Sequence, residues 1–447
     1  MLRRFPDALT FLFLCLIAAS ALTWMLPAGE YERRQDPATH RAVVVPDTYH
    51  AVSASPVGPF GALVAIPRGF TNAAAVIGFI LLVGAGIAVV DKTGAFADGV
   101  DHLIAALGDR RALMIPIIGI VFAIGGVVEG MMEEIIPLVP VLLVVGRRLG
   151  YRPVVVVGAP FAFAVAGGAF SPMNPFLVGI AQRLAGVPLF SAFALRIAFL
   201  IPAIALCIVW SLRGRHEHRD EAVLAHHDEI RRLSLRTIVI LACVLAAIAA
   251  YVVGVIKFDW DFDQMGALFV LLGIVAGLIG GLGVSGTTAA LAEGFRGMAP
   301  AAALIGVARG IYLVLQDGHI IDTIVHGLFV PVSHLPSIGA GIAMMVAQMA
   351  LHVPVPSTTG QAVLSMPILV PLSDLLGIQP QVTVLAYQFG AGLCEMLTPT
   401  NGAMMAVLAA AGIRYEEWIR FSLPLLAMLT LLAIIALALA IAVPALV

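Results

Sequence analysis

The sequence predicts an all-α polytopic membrane protein made of two inverted-topology repeats. Its 447 residues are 61% hydrophobic and 12% charged, whereas a soluble domain carries about 25% charged residues. Several apolar runs of roughly 20 residues, such as residues 9–28, have the length of membrane-spanning helices. Helix-breaking residues also recur at one constant offset, so the second half of the chain repeats the pattern of the first.

The repeat is clearest at two apolar stretches that contain proline and asparagine, SPMNPF and TPTNGA. Asn174 of the first stretch and Asn401 of the second are 227 positions apart. The same offset separates four further pairs, which are Pro140 and Pro367, Gly150 and Gly377, Pro153 and Pro380, and Pro172 and Pro399. We therefore predict two repeats, residues 1–212 and 236–447, joined by a basic linker at residues 213–235.

The orientation follows from the excess of Lys and Arg on the cytoplasmic side of membrane proteins. Arg3 and Arg4 place the N-terminus in the cytoplasm, the polar segment 29–68 is expected outside, and the linker is expected in the cytoplasm. An additional span at about 265–283 inverts the second repeat relative to the first. About nine transmembrane helices are predicted, at 8–27, 71–91, 153–186, 190–211, 236–255, 265–283, 298–316, 381–412 and 423–445.

Two of these spans are predicted to be broken, and two further segments are predicted to be re-entrant hairpins. The broken helices are at about 153–186 and 381–412, interrupted by SPMNPF and TPTNGA. The hairpins are at about 112–146, entering from the cytoplasm, and about 338–376, entering from outside. Proline removes a backbone donor and clashes with the preceding turn. Within a bilayer, the freed backbone groups are tolerated only where they line a cavity or bind something.

Inverted repeats with discontinuous helices predict a secondary transporter whose site lies near the membrane midplane. The N-terminus of a half-helix carries partial positive charge and suits a carboxylate, while freed carbonyls suit Na⁺. Asn174 and Asn401 bring both a donor and an acceptor to the two breaks. The alternative is that the prolines serve helix packing only. Coupling to Na⁺, coupling to H⁺ and solute exchange all remain open.

The tip of the first hairpin is acidic, and ionisable residues within a membrane are functional candidates because their burial is expensive. Glu133 and Glu134 are predicted to bind substrate, and Glu129 just before them is a secondary candidate. Adjacent side chains cannot both face one cavity, so we expect one of the pair to be a ligand or a proton carrier. It would also suit a substrate ammonium. The alternative is a neutralised or salt-bridged structural glutamate.

The tip of the second hairpin carries hydroxyl groups instead, at Ser357, Thr358 and Thr359, followed by Gln361. These oxygens suit Na⁺ or a substrate carboxylate, although hydroxyls also cap helices. The candidate ligands of a coupling ion are Ser357, Thr358, Asn401 and Glu133. An acidic tip facing a hydroxyl tip would suit a solute with a cationic and an anionic end, such as an amino acid.

Several polar residues elsewhere in the spans are secondary candidates. Arg309 would neutralise a substrate carboxylate or, as we slightly favour, form an ion pair with an acidic residue. Glu395 precedes the second break and is a candidate partner or coupling group. Tyr387 and Gln388, one to two turns earlier, are candidate substrate contacts. His352, near the second tip, is interpreted as a packed histidine.

Other functional classes find little support in the sequence. The only two lysines do not follow glycine, which excludes a P-loop, and neither HExxH nor G-x-S-x-G occurs. An enzyme is therefore not expected, and two blocking hairpins disfavour a channel. The four cysteines lie in apolar segments and suit packing. We expect no cofactor, no metal beyond a coupling Na⁺, and no nucleic-acid partner.

Five strings resemble the C4-dicarboxylate anaerobic carrier family of the ion transporter superfamily: EGMMEEIIP, SPMNPFLVGIAQ, ARGIYLVLQDGHIIDTI, PSTTGQA and LTPTNGAMMAVL. The chain is most similar to the branch that includes basic-amino-acid (arginine/ornithine) antiporters. The resemblance implies a homodimer in the inner (cytoplasmic) membrane that moves small carboxylates or amino acids by an elevator-like movement. The polar-apolar segments 91–107 and 317–330 would then be the arms that link scaffold and carrier. Amino acids and C4-dicarboxylates both remain candidate substrates.

Overall fold

The structure is a computed structural model that describes residues 8–35, 42–107, 113–128, 130–213, 233–258, 260 and 262–446. As predicted, these residues are mostly helical. Four short β-strands lie between the first two helices. Most of the predicted linker at 213–235 lies outside the described residues.

The first half contains α1 (Ala8–Met25), α2 (Pro59–Asn72), α3 (Ala74–Lys92), α4 (Ala95–Leu107), α5 (Met114–Val128), α6 (Val139–Leu149), α7 (Pro153–Ala169), α8 (Ile180–Leu184) and α9 (Phe193–Arg213). A 3-10 helix, Glu133–Leu138, precedes α6, and a π-helical turn, Pro175–Gly179, precedes α8. The strands are β1 (Gly29–Glu30), β2 (Arg33–Gln35), β3 (Ala42–Val44) and β4 (His50–Ala51). Strand β1 pairs with β4 and β2 with β3, both antiparallel.

The second half contains α10 (Leu235–Phe258), α11 (Phe262–Ile279), α12 (Gly283–Asp317), α13 (Ile321–Phe329), α14 (Ser337–His352), α15 (Thr358–Leu375), α16 (Pro380–Cys394), α17 (Gly402–Ala410) and α18 (Tyr415–Ala442). Two 3-10 helices are Val330–His334 and Pro444–Leu446.

Five of the described helices are long and apolar enough to cross a membrane, namely α3, α11, α12, α18 and residues Phe193–Leu212 of α9. Shorter apolar helices include α5, α7 and α14. These three are halves of the predicted hairpins and of the first broken helix.

Residues paired by the sequence repeat hold matching positions in the two halves. Gly150 follows α6 with φ of 72° and Gly377 follows α15 closely with φ of 66°, the left-handed conformation in which glycine ends a helix. Pro153 and Pro380 are the first residues of α7 and α16, where a missing N–H breaks no helical hydrogen bond. These two pairs of residues therefore have the same local role in the two halves, and the inverted-repeat topology stays a prediction.

Two segments differ from the predicted boundaries. The polar segment 29–68 contains the strands and most of α2, which starts at Pro59 because proline suits the first turn of a helix. The predicted span 298–316 is only the C-terminal part of the 35-residue α12, which is roughly 50 Å long at 1.5 Å per residue. Its N-terminal part is too polar to be predicted as a span, yet alanine, leucine and glutamate favour helix there.

The first halves of both broken helices form the centre of the core. Every residue of α7 from Val154 to Ala169 and of α16 from Gln381 to Cys394 is buried. Helix α5 packs very closely on α7, since a Cβ on Gly126 would lie 2.1 Å from the Ala164 carbonyl oxygen. Only glycine permits this approach, which brings the end of α5 next to the first break.

Candidate binding site at two helix breaks

The first break lies between α7 and the π-helical turn, and Asn174 organises it. Its Oδ1 accepts hydrogen bonds from the backbone N–H groups of Phe176 (3.0 Å) and Leu177 (2.9 Å). Its Nδ2 donates to the Gly126 carbonyl at 2.9 Å. Asn174 is fully buried, so one side chain both caps the turn and ties the break to α5.

Ser171 satisfies two further backbone N–H groups of this break. Its Oγ accepts from the N–H groups of Met173 (3.0 Å) and Asn174 (2.8 Å) and donates to the Val127 carbonyl (2.6 Å). Buried backbone amides without partners would destabilise the fold. The break is therefore held in a defined shape by side chains that also contact the first hairpin.

The first tip places its two glutamates in different environments. Glu134 is buried at 7% exposure, while Glu133 is partly exposed. The Glu133 carboxyl lies within electrostatic reach of Glu395 of the second broken helix, and the tip's 3-10 helix packs against α17. The first tip thus faces the second break. Glu129 lies outside the described residues.

The second break is capped in the same way as the first, by Asn401. Its Oδ1 accepts from the Met404 N–H at 3.1 Å. Its Nδ2 donates to the carboxylate of Glu395, and to the Glu395 carbonyl at 3.3 Å. Asn401 and Glu395 are both buried. Here the asparagine is therefore tied to an ionisable group.

A buried polar network extends from Glu395 into the second hairpin. His352 Nε2 lies 3.3 Å from Glu395 Oε2, and His352 Nδ1 is 2.9 Å from Gln361 Oε1. Gln361 Nε2 donates to Gln348 Oε1 at 2.5 Å, and Gln348 Nε2 donates to Ser365 at 2.7 Å. His352 is thus more than the packed histidine predicted from the sequence, because it pairs with the carboxylate at the break. Gln348 and Ser365 were not among the predicted residues.

The second tip combines a cap with two accessible hydroxyls. Ser357 Oγ accepts from the Gly360 N–H at 3.2 Å and caps α15, as the alternative interpretation of the hydroxyls required. Thr358 and Thr359 are partly exposed, and their hydroxyls have no hydrogen-bond partner among the described residues. Tyr387 donates from its OH to the Thr358 carbonyl at 2.6 Å, so α16 holds the tip in place.

Arg309 does not form the ion pair that the sequence favoured. Its Nε donates to Asn72 of α2, and its guanidinium lies 4.9 Å from the centre of the Tyr312 ring. No acidic side chain of the described chain pairs with it. The neutral side chain of Asn72 and the ring of Tyr312 are enough to stabilise the Arg309 guanidinium, because Arg309 is only partly buried.

Arg196 was not predicted as a site residue, yet it joins the first break through Gln388. Arg196 Nε donates to Gln388 Oε1 at 2.8 Å, and Gln388 Nε2 donates to the Ser171 carbonyl at 2.8 Å. Both side chains are buried. A single arginine within the apolar stretch FALRIAFLIP was the available sequence signal, since an unpaired intramembrane charge indicates function.

Each break is next to a cavity. A cavity of about 550 Å³ beside the second break is lined by residues that include Val353, Cys394, Leu397, Thr398, Pro399 and Tyr415. A cavity of about 370 Å³ beside the first break is lined by residues that include Met173, Pro175, Phe176, Gln182, Arg183 and Phe190. Both volumes are in the range of small-molecule sites.

Within the described residues, no group of three or more His, Cys, Asp or Glu side chains could hold a metal ion. The site predicted for Na⁺ would instead use the oxygen atoms of hydroxyls, amides and carbonyls, which are not among those four side-chain types. All four cysteines are free, and Cys207 and Cys394 are buried. Cys394 donates from Sγ to the Met349 carbonyl at 3.2 Å, in keeping with a packing role.

Two solved transporter structures align with the whole chain at low similarity. MtrF of Neisseria gonorrhoeae, from a class of antimetabolite efflux pumps, has 17% identity and a TM-score of 0.44, covering 99% of this chain and 96% of its own. The Alcanivorax borkumensis YdaH transporter has 15% identity and a TM-score of 0.43, covering 98% of each chain. TM-scores below 0.5 do not establish a common fold.

Sequence relatives and a family model identify the chain more firmly. The protein described as "Putative basic amino acid antiporter YfcC" from Escherichia coli (strain K12) is 30% identical over 479 residues, covering 96% of this chain and 94% of its own. An uncharacterized protein of Haemophilus influenzae is 29% identical over 96% of this chain and 95% of its own. The model of the DcuC family, C4-dicarboxylate anaerobic carrier, matches residues 5–442. The chain is therefore a multi-pass membrane protein that belongs to the C4-dicarboxylate anaerobic carrier family of transporters.

Proposed function

We propose that this protein is a secondary active transporter that moves a small carboxylate-bearing solute, an amino acid or a C4-dicarboxylate, across the cytoplasmic membrane. The observation that carries the proposal is the pair of buried breaks, each capped by an asparagine at the same position of the repeat. Each break has a hairpin beside it and a cavity next to it. Membrane transporters bind their solutes at such discontinuous helices.

Transport by an elevator-like movement is the mechanism we favour. Helices α4 and α13 occupy the predicted arm positions and mix apolar with polar residues, as interfacial helices do. Asp322 of α13 accepts from Arg33 Nη2 at 2.9 Å and from the Tyr31 N–H at 2.9 Å, which anchors this arm to the strand region. A homodimer with cytoplasmic N-termini would supply the fixed scaffold.

A basic-amino-acid antiporter is the more specific candidate. The acidic first tip, with Glu133 partly exposed and Glu134 buried, would bind a substrate ammonium or guanidinium. The hydroxyls of Thr358 and Thr359 at the second tip would contact the carboxylate. The name of the Escherichia coli relative, a putative basic amino acid antiporter, agrees with this substrate class. If the substrate is instead a C4-dicarboxylate, as in the family description, Glu133 and Glu134 would not bind it and would serve in coupling.

Coupling to protons is supported by the titratable groups at the second break. Glu395 Oε2 lies 3.3 Å from His352 Nε2 in a buried setting, and the 3-10 helix that carries Glu133 packs against α17 of the same break. A histidine beside a carboxylate is an arrangement that proteins use to transfer protons. Coupling to Na⁺ would instead use Ser357, Thr358 and Asn401.

The test is uptake into proteoliposomes that contain the purified full chain. Radiolabelled arginine, ornithine and succinate would each be offered under a Na⁺ gradient, under a pH gradient, and against vesicles preloaded with unlabelled solute. We expect accumulation above the external concentration for at least one solute. Equilibration without accumulation would indicate a channel, and chemical conversion of the solute, seen by mass spectrometry, would indicate an enzyme.

The ion gradient or internal solute that uptake requires distinguishes the antiporter from the ion-coupled transporters. Arginine uptake that requires internal arginine or ornithine would support the antiporter, while succinate uptake that requires Na⁺ would remove it. Uptake that requires an inwardly directed proton gradient would support coupling at Glu395.

A further inference from the structure

Arg196 is a buried cation for which the described chain supplies no counter-ion. It lies near the start of α9 with a relative exposure of 1%. A guanidinium keeps its charge in proteins, and burying a charge is costly unless it is paired. No described carboxylate lies within ion-pair distance of Arg196. The charge therefore needs an anionic partner that is not part of the described fold.

The hydrogen bonds of Arg196 leave Nη2 of the guanidinium without a partner in the described part of the chain. Its Nε donates to Gln388 Oε1 at 2.8 Å and its Nη1 donates to the Ser191 carbonyl at 2.5 Å. Both acceptors are neutral. Nη2 is buried and has no partner. Both N–H donors of Nη2 thus remain unused inside the protein, where unsatisfied donors are destabilising.

The neighbours of Arg196 connect it to the first break. Gln388 accepts from Arg196 and donates to the Ser171 carbonyl within the break. On the other side, Ser191 contacts Gln182, whose Nε2 is 3.2 Å from the Ser191 hydroxyl. Gln182 lines the cavity of about 370 Å³ beside the break.

The same cavity is lined by a second arginine, Arg183, which is exposed. A positive charge at the lining of a cavity raises the local concentration of anions. An anion that enters this cavity would pass Arg183 and then meet Gln182. Gln182 contacts Ser191, and the Ser191 carbonyl accepts a hydrogen bond from Arg196. The arrangement of charges therefore favours an anionic ligand on this side of the break.

We propose that Arg196 binds the carboxylate of the transported solute at the first break, through Nη2. This inference rests on the proposed transport function, and it assigns the acid group to Arg196 in place of the hydroxyls of Thr358 and Thr359. Gln388 acts as a positioning residue, because it holds the guanidinium by its Nε and is itself held by the Ser171 carbonyl. Arginine is suited to this role since its planar fork matches a carboxylate.

An arginine that only linked α9 to α16 would not need its charge. Its two existing bonds go to neutral acceptors, and a neutral donor could make them without the cost of burying a cation. The two roles of Arg196 therefore predict different results. If Arg196 binds a carboxylate, ligand binding depends on the acid group of the ligand. If Arg196 only links α9 to α16, ligand binding does not depend on that group.

The experiment compares ligands that differ only in that group. Thermal unfolding of the purified full chain would be measured with L-arginine and its decarboxylated form agmatine, and with succinate and its neutral diamide. A ligand that binds the folded state raises the melting temperature. We expect the unmodified protein to bind one acid at least about tenfold more tightly than its acid-free form, as expected for a hydrogen bond to a charged group.

The variants test the residue. Arg196→Gln should lose this discrimination, and Arg196→Lys should keep part of it. Arg152→Gln should behave like the unmodified protein, because Arg152 is exposed and pairs at the surface with Glu417. Counterflow of the same solutes in proteoliposomes supplies the second readout.

The outcomes separate this inference from the proposed function. If an acid and its acid-free form bind and are transported equally by the unmodified protein, the carboxylate site is wrong while transport stands. The same conclusion follows if Arg196→Gln discriminates as well as the unmodified protein. If no solute is bound or transported, the proposed function and this inference both fail. The first comparison needs no variant, so poor folding of Arg196→Gln leaves the inference testable.

Discussion

The break at Asn174 and the break at Asn401 share one cap but have different surroundings. In both, the asparagine Oδ1 accepts from the backbone of the following helical turn. The amide of Asn174 then donates to a neutral carbonyl of Gly126, whereas the amide of Asn401 donates to the carboxylate of Glu395. The two breaks therefore share the asparagine cap and differ in the group that accepts a hydrogen bond from the asparagine amide.

The charges near the two breaks also differ in sign. The first break is linked through Gln388 to the buried cation of Arg196. The second break holds Glu395 and His352, and Glu133 of the first tip faces it. The first break thus has a buried basic side chain near it and the second has a buried acidic one. Under the proposed function, a solute with both an acidic and a basic group would contact both.

The largest difference between the breaks is expected from removing their caps. Asn401→Ala loses a cap and a hydrogen bond to a buried carboxylate, so the free energy of unfolding should fall by about 3 kcal/mol. Asn174→Ala loses a cap and a bond to a neutral carbonyl, which should cost about 2 kcal/mol. Denaturant unfolding in detergent micelles measures both. An equal or larger loss for Asn174→Ala would mean that the Glu395 contact is not the distinguishing feature.

A smaller effect on stability, with a large effect on coupling, is expected for Glu395→Gln. The substitution keeps the shape but removes the charge that pairs with His352 and Asn401, at a cost of about 2 kcal/mol. Stimulation of uptake by a pH gradient should disappear, while exchange of solute persists. Glu293→Gln is the control, since Glu293 is exposed and pairs with Lys92 at 3.1 Å. Unchanged pH stimulation in Glu395→Gln would exclude Glu395 as the coupling group.

Removing the contact between α16 and the second tip is expected to have a modest effect. Tyr387→Phe loses the hydrogen bond to the Thr358 carbonyl, worth about 1 kcal/mol, and loosens the hydroxyl tip. Solute affinity should weaken more in this variant than in Tyr312→Phe, whose ring contacts Arg309 away from the tips. Isothermal titration with the transported solute makes the comparison. Equal affinities in the two variants would show that the tip does not need this anchor.

The smallest effect is expected in the strand region outside the proposed site. Burial, aided by Asp322, Tyr49 and Asp47, raises the pKa of Tyr31 to about 12. Because the folded protein holds this proton more tightly than the unfolded chain, its stabilising contribution is present below about pH 10 and is lost as pH rises toward 12. Melting temperatures across this range should decline less in Tyr31→Phe than in the unmodified protein.

Tyr49→Phe is the control for that prediction, and it should keep most of the decline because burial, the largest cause of the raised pKa of Tyr31, does not depend on the Tyr49 hydroxyl. Parallel melting curves for all three proteins would show that Tyr31 does not titrate differently in the folded state.

The positions at which several helices begin or end were predictable because proline and glycine act locally, while the re-entrant hairpins stay a prediction. Gly150, Pro153 and their partners Gly377 and Pro380 end or begin helices where the repeat predicted it. The short strands between α1 and α2 and the length of α12 were not predicted, since their residues lack strong apolar periodicity. The direction of the two halves across the membrane stays a prediction.

Side-chain partners were predicted less well, because they depend on contacts between distant parts of the chain. Arg196 and Gln388 are 192 residues apart, and no local pattern pairs them. His352 and Glu395 both stood out in the sequence, but their 3.3 Å contact required the packing of α14 on α16. Arg309 drew attention as an intramembrane charge, yet it contacts Asn72 far along the chain.

The most direct test of the account is solute exchange by Asn401→Ser beside the unmodified protein. Serine keeps an acceptor able to cap α17 but lacks the amide that reaches Glu395. The account predicts that proteoliposomes with the unmodified protein exchange labelled arginine or succinate for internal solute, and that the folded Asn401→Ser variant does so much more slowly. Equal exchange by both proteins, at matched melting temperatures, would contradict the claim that the contact between Asn401 and Glu395 at the second break is part of the transport site.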